Sequence, residues 1–193
     1  MQLGKFSLGI GDRFSHQGVA QLRAIVKANQ TGLDISPVWN KSNREHIYVH
    51  SHPADVRKEA DAAVAALGFS GKYFVDADHI NLGTVAPFVE TADFFTLDVA
   101  SFIGKESPEA EVKAFVDSCS KYMGKLSIPG INHPIEVTEE LLVVIAGKFL
   151  AATKQASEIY SFLKEKKVKV ISLLKFQWTK LKLLKHQSTC FLS

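Results

Sequence analysis

The sequence predicts an α/β fold, in which a parallel sheet has its strands joined by crossover helices. Short β-like runs alternate with helical segments, and each predicted strand ends in a cluster of polar residues. The 193 residues, 46% of them hydrophobic, are enough to bury the core of one medium-sized domain. About four βα units are recognisable, which is half of an eight-stranded barrel. The predicted fold class is a partial TIM-like (β/α) barrel with an irregular basic C-terminal tail.

The predicted elements follow one another in a regular order. The strands are FSLGIG, DISPVW, KYFVDADH and DFFTLDVA. Ser15 is the predicted N-cap of the first helix, HQGVAQLRAIVKAN, and the second helix runs from Pro53 to the stop signal Gly68. TVAPFVE is a short predicted helix, a further helix opens at Pro108, and a long one follows the predicted cap Thr138.

The segment DADH carries the strongest chemical signal. Asp76, Asp78 and His79 stand at the end of a predicted strand, where α/β enzymes place their chemistry. Carboxylates and an imidazole can bind a divalent metal or transfer a proton. Strand alternation puts the two aspartates on one face and His79 on the other, unless the strand is irregular at its end. The alternative is a turn with solvated carboxylates.

Three basic residues close to other strand ends are candidates for binding an anionic substrate. Lys41 and Arg44 lie in NKSNREH, and Arg13 follows the first strand. These cations suit a carboxylate or a phosphate, although a solvated loop explains the first two equally well. The pair His50 and His52 resembles a metal motif, but its spacing is weak support for one.

Composition excludes several other classes of protein. No stretch of eighteen apolar residues exists, and the N-terminus lacks the features of a signal peptide. Two cysteines define neither a disulfide framework nor a metal motif, and neither common nucleotide-binding glycine motif is present. The expectation is a cytoplasmic protein whose partner is a small molecule, not nucleic acid or a membrane.

The C-terminal tail differs from the rest of the chain. From Lys164 onward there are eight lysines and one acid, a balance of +7, whereas the whole chain carries +3, so residues 1–163 carry about −4. A frameshift near residue 168 explains the change, so residues 1–168 are assigned to the catalytic domain and 169–193 to an out-of-frame tail. The alternative is a basic arm that binds an anionic membrane or nucleic acid.

The genetic code allows the frameshift to be tested on the protein sequence. In the frame shifted by two bases, Trp178 followed by Thr179 must encode aspartate. When the same reading is extended over residues 170–193, codon degeneracy leaves several choices at most positions, and GNFITEVSMDETETPETPVDMLFI is one of the strings that it permits. That string begins like the next strand of an α/β protein and continues into carboxylates.

Four ordered motifs carry a resemblance to a known family. LGIGDRFSHQGVAQLRA, PVWNKSNREH, YFVDADHI and DFFTLDV together resemble the tagaturonate/fructuronate epimerases of hexuronate catabolism. The resemblance covers about residues 4–169. The hidden EVSMDETETP is similar to the family's next strand motif, which partly guided the choice among degenerate codons. The resemblance implies a barrel-like α/β fold, a divalent metal cofactor, and interconversion of D-tagaturonate and D-fructuronate at C4.

The resemblance also implies roles for individual residues. The family's proton acceptor falls on Asp78 and its first metal ligand on His79. Its other metal-binding histidines have no counterpart here, and its proton-donor glutamate occurs only in the hidden DET motif. Since catalytic metals usually have about three protein ligands, the chain as given is expected to be inactive. The chemistry of these residues suggests the hypothesis of reversible C3–C4 cleavage to an enediolate, which a divalent metal would stabilise, with Asp78 accepting the proton of the C4 hydroxyl.

Two other functions remain open. The same scaffold could serve another metal-dependent sugar aldolase or isomerase. A non-enzymatic module with a basic anion-binding tail would instead show salt-sensitive binding of anionic lipid or nucleic acid that is lost on deletion of residues 164–193.

Overall fold

A computed structural model describes residues 3–166 and, as backbone, residues 173–177. The described residues form two compact units. The first comprises residues 3–98, 158–166 and 173–177, and the second comprises residues 99–157.

The strands lie close to where the apolar runs predict them. They are β1 (Phe6–Ile10), β2 (Ile35–Ser42), β3 (Phe74–Ile80), β4 (Phe94–Asp98), β5 (Gly124–Leu126), β6 (Ile135–Val137) and β7 (Leu173–Gln177). In the first unit the strand order is β1-β2-β3-β4-β7, with every pairing parallel. Sequential parallel neighbours of this kind form the wall of a (β/α) barrel, so the prediction of a partial barrel is confirmed.

Helices connect β1 to β2 and β2 to β3 as crossovers. The helices are α1 (Gly18–Asn29), α2 (Asn43–Tyr48), α3 (Pro53–Leu67), α4 (Glu109–Cys119) and α5 (Glu139–Lys166). The predicted helix at TVAPFVE is a single 3-10 turn, Ala86–Phe88. Pro53 opens α3, and Gly68 ends it in the left-handed conformation with φ of 57°, as predicted. None of the helices in the described ranges has both the length and the apolar character needed to cross a membrane.

The core of the first unit lies between the sheet and two helices. Trp39 on β2 pairs with Ile10 on β1 and with Val75 on β3, so these three side chains share one face. Helices α1 and α3 cover that face with Leu22, Ile25, Val56, Ala60 and Ala63. Polar residues occupy the opposite face at the same level, where Asn40 pairs with Asp76.

The second unit is smaller and has its own apolar cluster. Its strands β5 and β6 form an antiparallel pair, and Val116, Val137 and Leu142 pack together beside them. The backbone N–H of Leu141 donates to the Thr138 hydroxyl over 3.2 Å, which confirms Thr138 as a helix cap.

The structure corrects the predicted Ser15 cap and also excludes the solvated loop that was the alternative for NKSNREH. Ser15 does not cap α1, which begins at Gly18; the Asp12 carboxylate instead accepts hydrogen bonds from the backbone ahead of the helix. The segment NKSNREH is not a loop, because β2 continues to Ser42 and α2 follows at once. The Ser42 and Glu45 side chains form a capping box there, and this stabilises the turn from strand into helix.

Candidate active site at the carboxyl ends of the strands

Asp78 and His79 meet at the carboxyl end of β3. The Nδ1 atom of His79 lies 2.9 Å from Oδ1 of Asp78, and the side chains are 41% and 16% exposed, respectively. An imidazole oriented in this way through Nδ1 leaves Nε2 available for a substrate or a metal. The carboxylate is partly shielded from water but still accessible, as a proton acceptor must be.

A β-bulge produces this arrangement. Ala77 pairs with Phe95 and Ile80 with Leu97, so three steps on β3 match two steps on β4. His79 is the residue in the left-handed conformation, with φ of 53°. Bulges next to active sites change the direction of a side chain, and here the bulge interrupts the simple alternation of faces.

The conformation of His79 makes a testable contribution to stability. Because a left-handed backbone costs a residue with a Cβ atom about 1–2 kcal/mol, His79→Gly should be more stable than His79→Ala by about 1 kcal/mol. Urea titrations of the two variants measure the difference. Equal stability would show that residue 79 carries no such backbone strain.

Asp76 lies deeper on the same strand. Its Oδ2 accepts a hydrogen bond from the Thr96 hydroxyl over 2.8 Å, and both residues are buried. Asp76 is therefore a member of the buried polar layer that joins β3 to β4 beneath Asp78.

Arg13 and Arg44 come together in one cleft. Its volume is about 460 Å³, and its lining comprises Arg13, Phe14, Arg44, Glu45, Tyr48 and Val49. Arg13 Nε lies 3.8 Å from Glu45 Oε1. Burial alone would raise the pKa of Glu45, but hydrogen bonds from Ser42 and the charge of Arg13 outweigh it, and the net pKa is lowered. The cleft therefore holds two guanidinium groups and one carboxylate that stays ionised.

Lys41 does not join the two arginines among the residues that line the cleft. It pairs with Ala77, so it lies on the helix-covered face of the sheet and not on the face of Asp76. The residue is 2% exposed, and its Nζ donates to the Ser15 hydroxyl over 3.2 Å.

His46 is a buried titratable residue that the sequence prediction did not single out. Its Nδ1 is 2.9 Å from the Ser51 hydroxyl, and its ring packs edge-on against Phe88. Within the described part of the chain, Nε2 is buried without a hydrogen-bond partner. Burial, reinforced by the charge of Lys41, lowers the pKa of His46 to about 4.

The lowered pKa of His46 predicts acid sensitivity. Below the ordinary histidine pKa of 6.5, His46 binds a proton in the unfolded chain but not in the folded protein. The free energy of unfolding therefore falls as the pH drops from 6.5 towards 4. Between pH 7 and pH 5 the free energy of unfolding should fall by about 2 kcal/mol more in the wild type than in His46→Asn. Urea titrations at both pH values measure this, with the exposed His133→Asn as the control. An identical pH dependence in His46→Asn would contradict the assignment.

His50 and His52 have local structural roles. His50 has φ of 53° in the link between α2 and α3, and His52 precedes α3, where its backbone N–H donates to Asp55 over 2.7 Å. No group of three or more His, Cys, Asp or Glu side chains in the described ranges is arranged to hold a metal ion. The residues that the structure describes therefore do not form a complete metal site.

The sequence matches a family of known proteins. A family model described as UxaE, tagaturonate epimerase, matches residues 1–173. The chain belongs to this family. Search of curated protein sequences gave no significant match.

Crystal structures of one epimerase share the fold. They are those of fructuronate-tagaturonate epimerase UxaE from Cohnella laeviribosi in its native form (20% identity), with one glycerol (18%) and with two glycerols (19%). Each has a TM-score of 0.64 and is matched over 91% of this chain but only 37% of its own. The chain thus spans little more than a third of the length of these relatives.

Proposed function

We propose that this chain is part of an epimerase that interconverts D-tagaturonate and D-fructuronate by inverting C4. It contributes Asp78, the proton acceptor, to the catalytic site. The pairing of Asp78 with His79 at the carboxyl end of β3 carries the proposal, because it sets a proton acceptor beside a fixed imidazole. Family membership supports the choice of hexuronates as the substrate class.

Asp78 acts on the C4 hydroxyl of the bound keto acid. In a 2-keto sugar acid this hydroxyl is β to the ketone, so removing its proton promotes cleavage of the C3–C4 bond. The electron pair of that bond passes to the ketone side, which leaves an enediolate over C2 and C3 and an aldehyde at C4. Addition to the opposite face of that aldehyde re-forms the bond with C4 inverted. Direct removal of the C4 hydrogen is less favourable, since that hydrogen is not α to a carbonyl.

Arg13 and Arg44 bind the substrate carboxylate in this proposal. Both line the same cleft, and guanidinium groups match the planar carboxylate better than lysine does. Glu45 forms an ion pair with Arg13 in that cleft over 3.8 Å.

A divalent metal is the proposed cofactor, with His79 as one ligand. Catalytic metal centres usually have about three protein ligands, and the described residues do not assemble three. The chain by itself is therefore expected to be inactive.

The frame-restored protein is the form on which activity should be measured. It is the product of the gene translated in the frame that encodes EVSMDETETP. Most of the proposed out-of-frame tail, residues 169–172 and 178–193, lies outside the described residues, and the backbone of residues 173–177 forms β7. Sequencing the gene from the codon for Glu165 to beyond that for Ser193 tests the frameshift. The frameshift predicts that the shifted reading frame stays open. Confirmation of the present frame would favour the alternative, a basic arm that binds an anionic partner.

Turnover tests the proposed reaction. The frame-restored protein, supplied with Mn²⁺, Ni²⁺ or Zn²⁺, is expected to convert D-tagaturonate into D-fructuronate. Cleavage or isomerisation of other sugar acids without epimerisation would favour the alternative of another sugar aldolase or isomerase on this scaffold.

A further inference from the structure

The buried position of Lys41 raises the question of what its charge does. Burying an ammonium group is costly unless it is paired and hydrogen-bonded. Its Nζ contacts the Ser15 hydroxyl at 3.2 Å, from the face of the sheet that α1 and α3 cover. The group that stabilises Lys41 is therefore to be found around Ser15.

Glu59 on α3 completes the contact. Its Oε1 accepts a hydrogen bond from the backbone N–H of Gly18 over 2.9 Å, and the Ser15 side chain is near enough to the carboxylate to favour its ionised form. A Cβ atom at Gly18 would lie 2.8 Å from Glu59 Cγ, so the absence of a side chain there lets the carboxylate approach the start of α1. Burial raises the pKa of Glu59, with Ser15, Gly18 and Lys41 opposing it.

Ser15, whose hydroxyl accepts a hydrogen bond from Lys41, belongs to a tightly folded loop. Asp12 accepts hydrogen bonds from the backbone N–H groups of Phe14, His16 and Gln17, at 3.1, 2.5 and 2.9 Å. Ser15 lies at the centre of this loop in the left-handed conformation, with φ of 57°. Such a conformation persists where the surrounding contacts hold it in place.

We propose that Lys41, Ser15 and Glu59 form a partly buried network that positions the loop of residues 12–17, and with it Arg13, for binding the substrate. Lys41 is then a positioning residue and not a ligand of the substrate carboxylate. The identity of the bound anion rests on the proposed function, whereas the anchoring of the loop does not.

Hydrogen exchange measured by mass spectrometry tests the anchoring on the chain as it is. In Ser15→Ala, Lys41→Met and Glu59→Gln, the amides of His16 and Gln17 should exchange about tenfold faster or more, while those of β3 keep their protection. Lys58→Met is the matched control, since Lys58 neighbours Glu59 on α3 and its side chain is 78% exposed. Unchanged exchange of the loop in the three variants would overturn the proposal.

Ser15→Ala keeps the test decisive if a buried-charge variant fails to fold. It removes only the bridging hydroxyl and leaves both charged groups in place. The double variant Ser15→Ala/Lys41→Met shows whether the two residues act through one network or independently. Exchange in the double variant should be about as fast as in the faster single variant, whereas multiplied effects would show that the two residues act separately.

Kinetics separate this proposal from the proposed function. In frame-restored protein that turns over hexuronate, Ser15→Ala should raise KM about tenfold and leave kcat within about twofold, because binding by Arg13 is weakened but Asp78 is untouched. A lower kcat with unchanged KM would overturn the positioning role. If the wild type shows no turnover, the proposed function fails, and the exchange experiment still decides whether the network anchors the loop.

Discussion

Asp78→Asn is expected to lower kcat for the interconversion of tagaturonate and fructuronate by about 10²–10⁴-fold, the usual contribution of a positioned proton acceptor. The amide has nearly the shape of the carboxylate and can still contact His79, but it cannot accept the proton of the C4 hydroxyl. The assay uses the frame-restored protein with saturating substrate, and bound metal is quantified in the same samples.

Retention of metal together with loss of turnover would assign Asp78 to the chemical step. Asp117→Asn is the matched control, because Asp117 is a well-exposed aspartate on α4 and its loss should leave kcat unchanged. Full activity in Asp78→Asn would exclude the proposed mechanism.

Trp39→Ala is expected to lower the free energy of unfolding by about 3–5 kcal/mol, as for other large aromatic residues in cores. The side chain is 1% exposed, packs among residues of α1 and α3, and meets the Tyr73 ring edge-on at 6.1 Å. Its loss leaves a cavity between the sheet and both helices. Urea titration followed by circular dichroism measures the change.

Trp39→Phe separates lost volume from lost polarity. The indole Nε1 is buried without a hydrogen-bond partner in the described part of the chain, so Phe removes an unsatisfied donor while it gives up some volume. We expect this variant to lose about 1 kcal/mol or less. A loss as large as that of Trp39→Ala would mean that the indole N–H has a stabilising role.

The order of strands and crossover helices could be predicted from the sequence because its signals are local. Apolar runs that end in polar clusters locate β1 to β4, and Pro53 with Gly68 bounds α3 to the residue. The proposal that Asp78 and His79 act together also follows from their adjacency at a strand end. The structure adds the contact between their side chains.

Helix α2 and the bulge at His79 differ in how far the sequence predicts them. The Ser42-x-x-Glu45 pattern is the signature of a capping box, and it could have predicted α2 directly after β2. The bulge at His79 depends on how β3 and β4 pair, which no short motif specifies.

Lys41 shows where motif reasoning is least informative. Its place beside Arg44 in the sequence suggests a shared role in binding an anion. Strand register puts Lys41 on the helix-covered face, next to Ser15, which is 26 residues earlier in the chain. Because a one-residue step along a strand reverses the face, the side a polar residue occupies is known only once the register is known.

The most direct test of the central claim is an NMR measurement of the reaction in D₂O. Frame-restored protein with divalent metal and D-fructuronate should produce D-tagaturonate that retains its hydrogen at C4, because C3–C4 cleavage never breaks the C4–H bond. Deuterium at C4 would contradict the cleavage mechanism and indicate direct deprotonation. No tagaturonate from a folded, metal-loaded protein would contradict the assignment of C4 epimerisation itself.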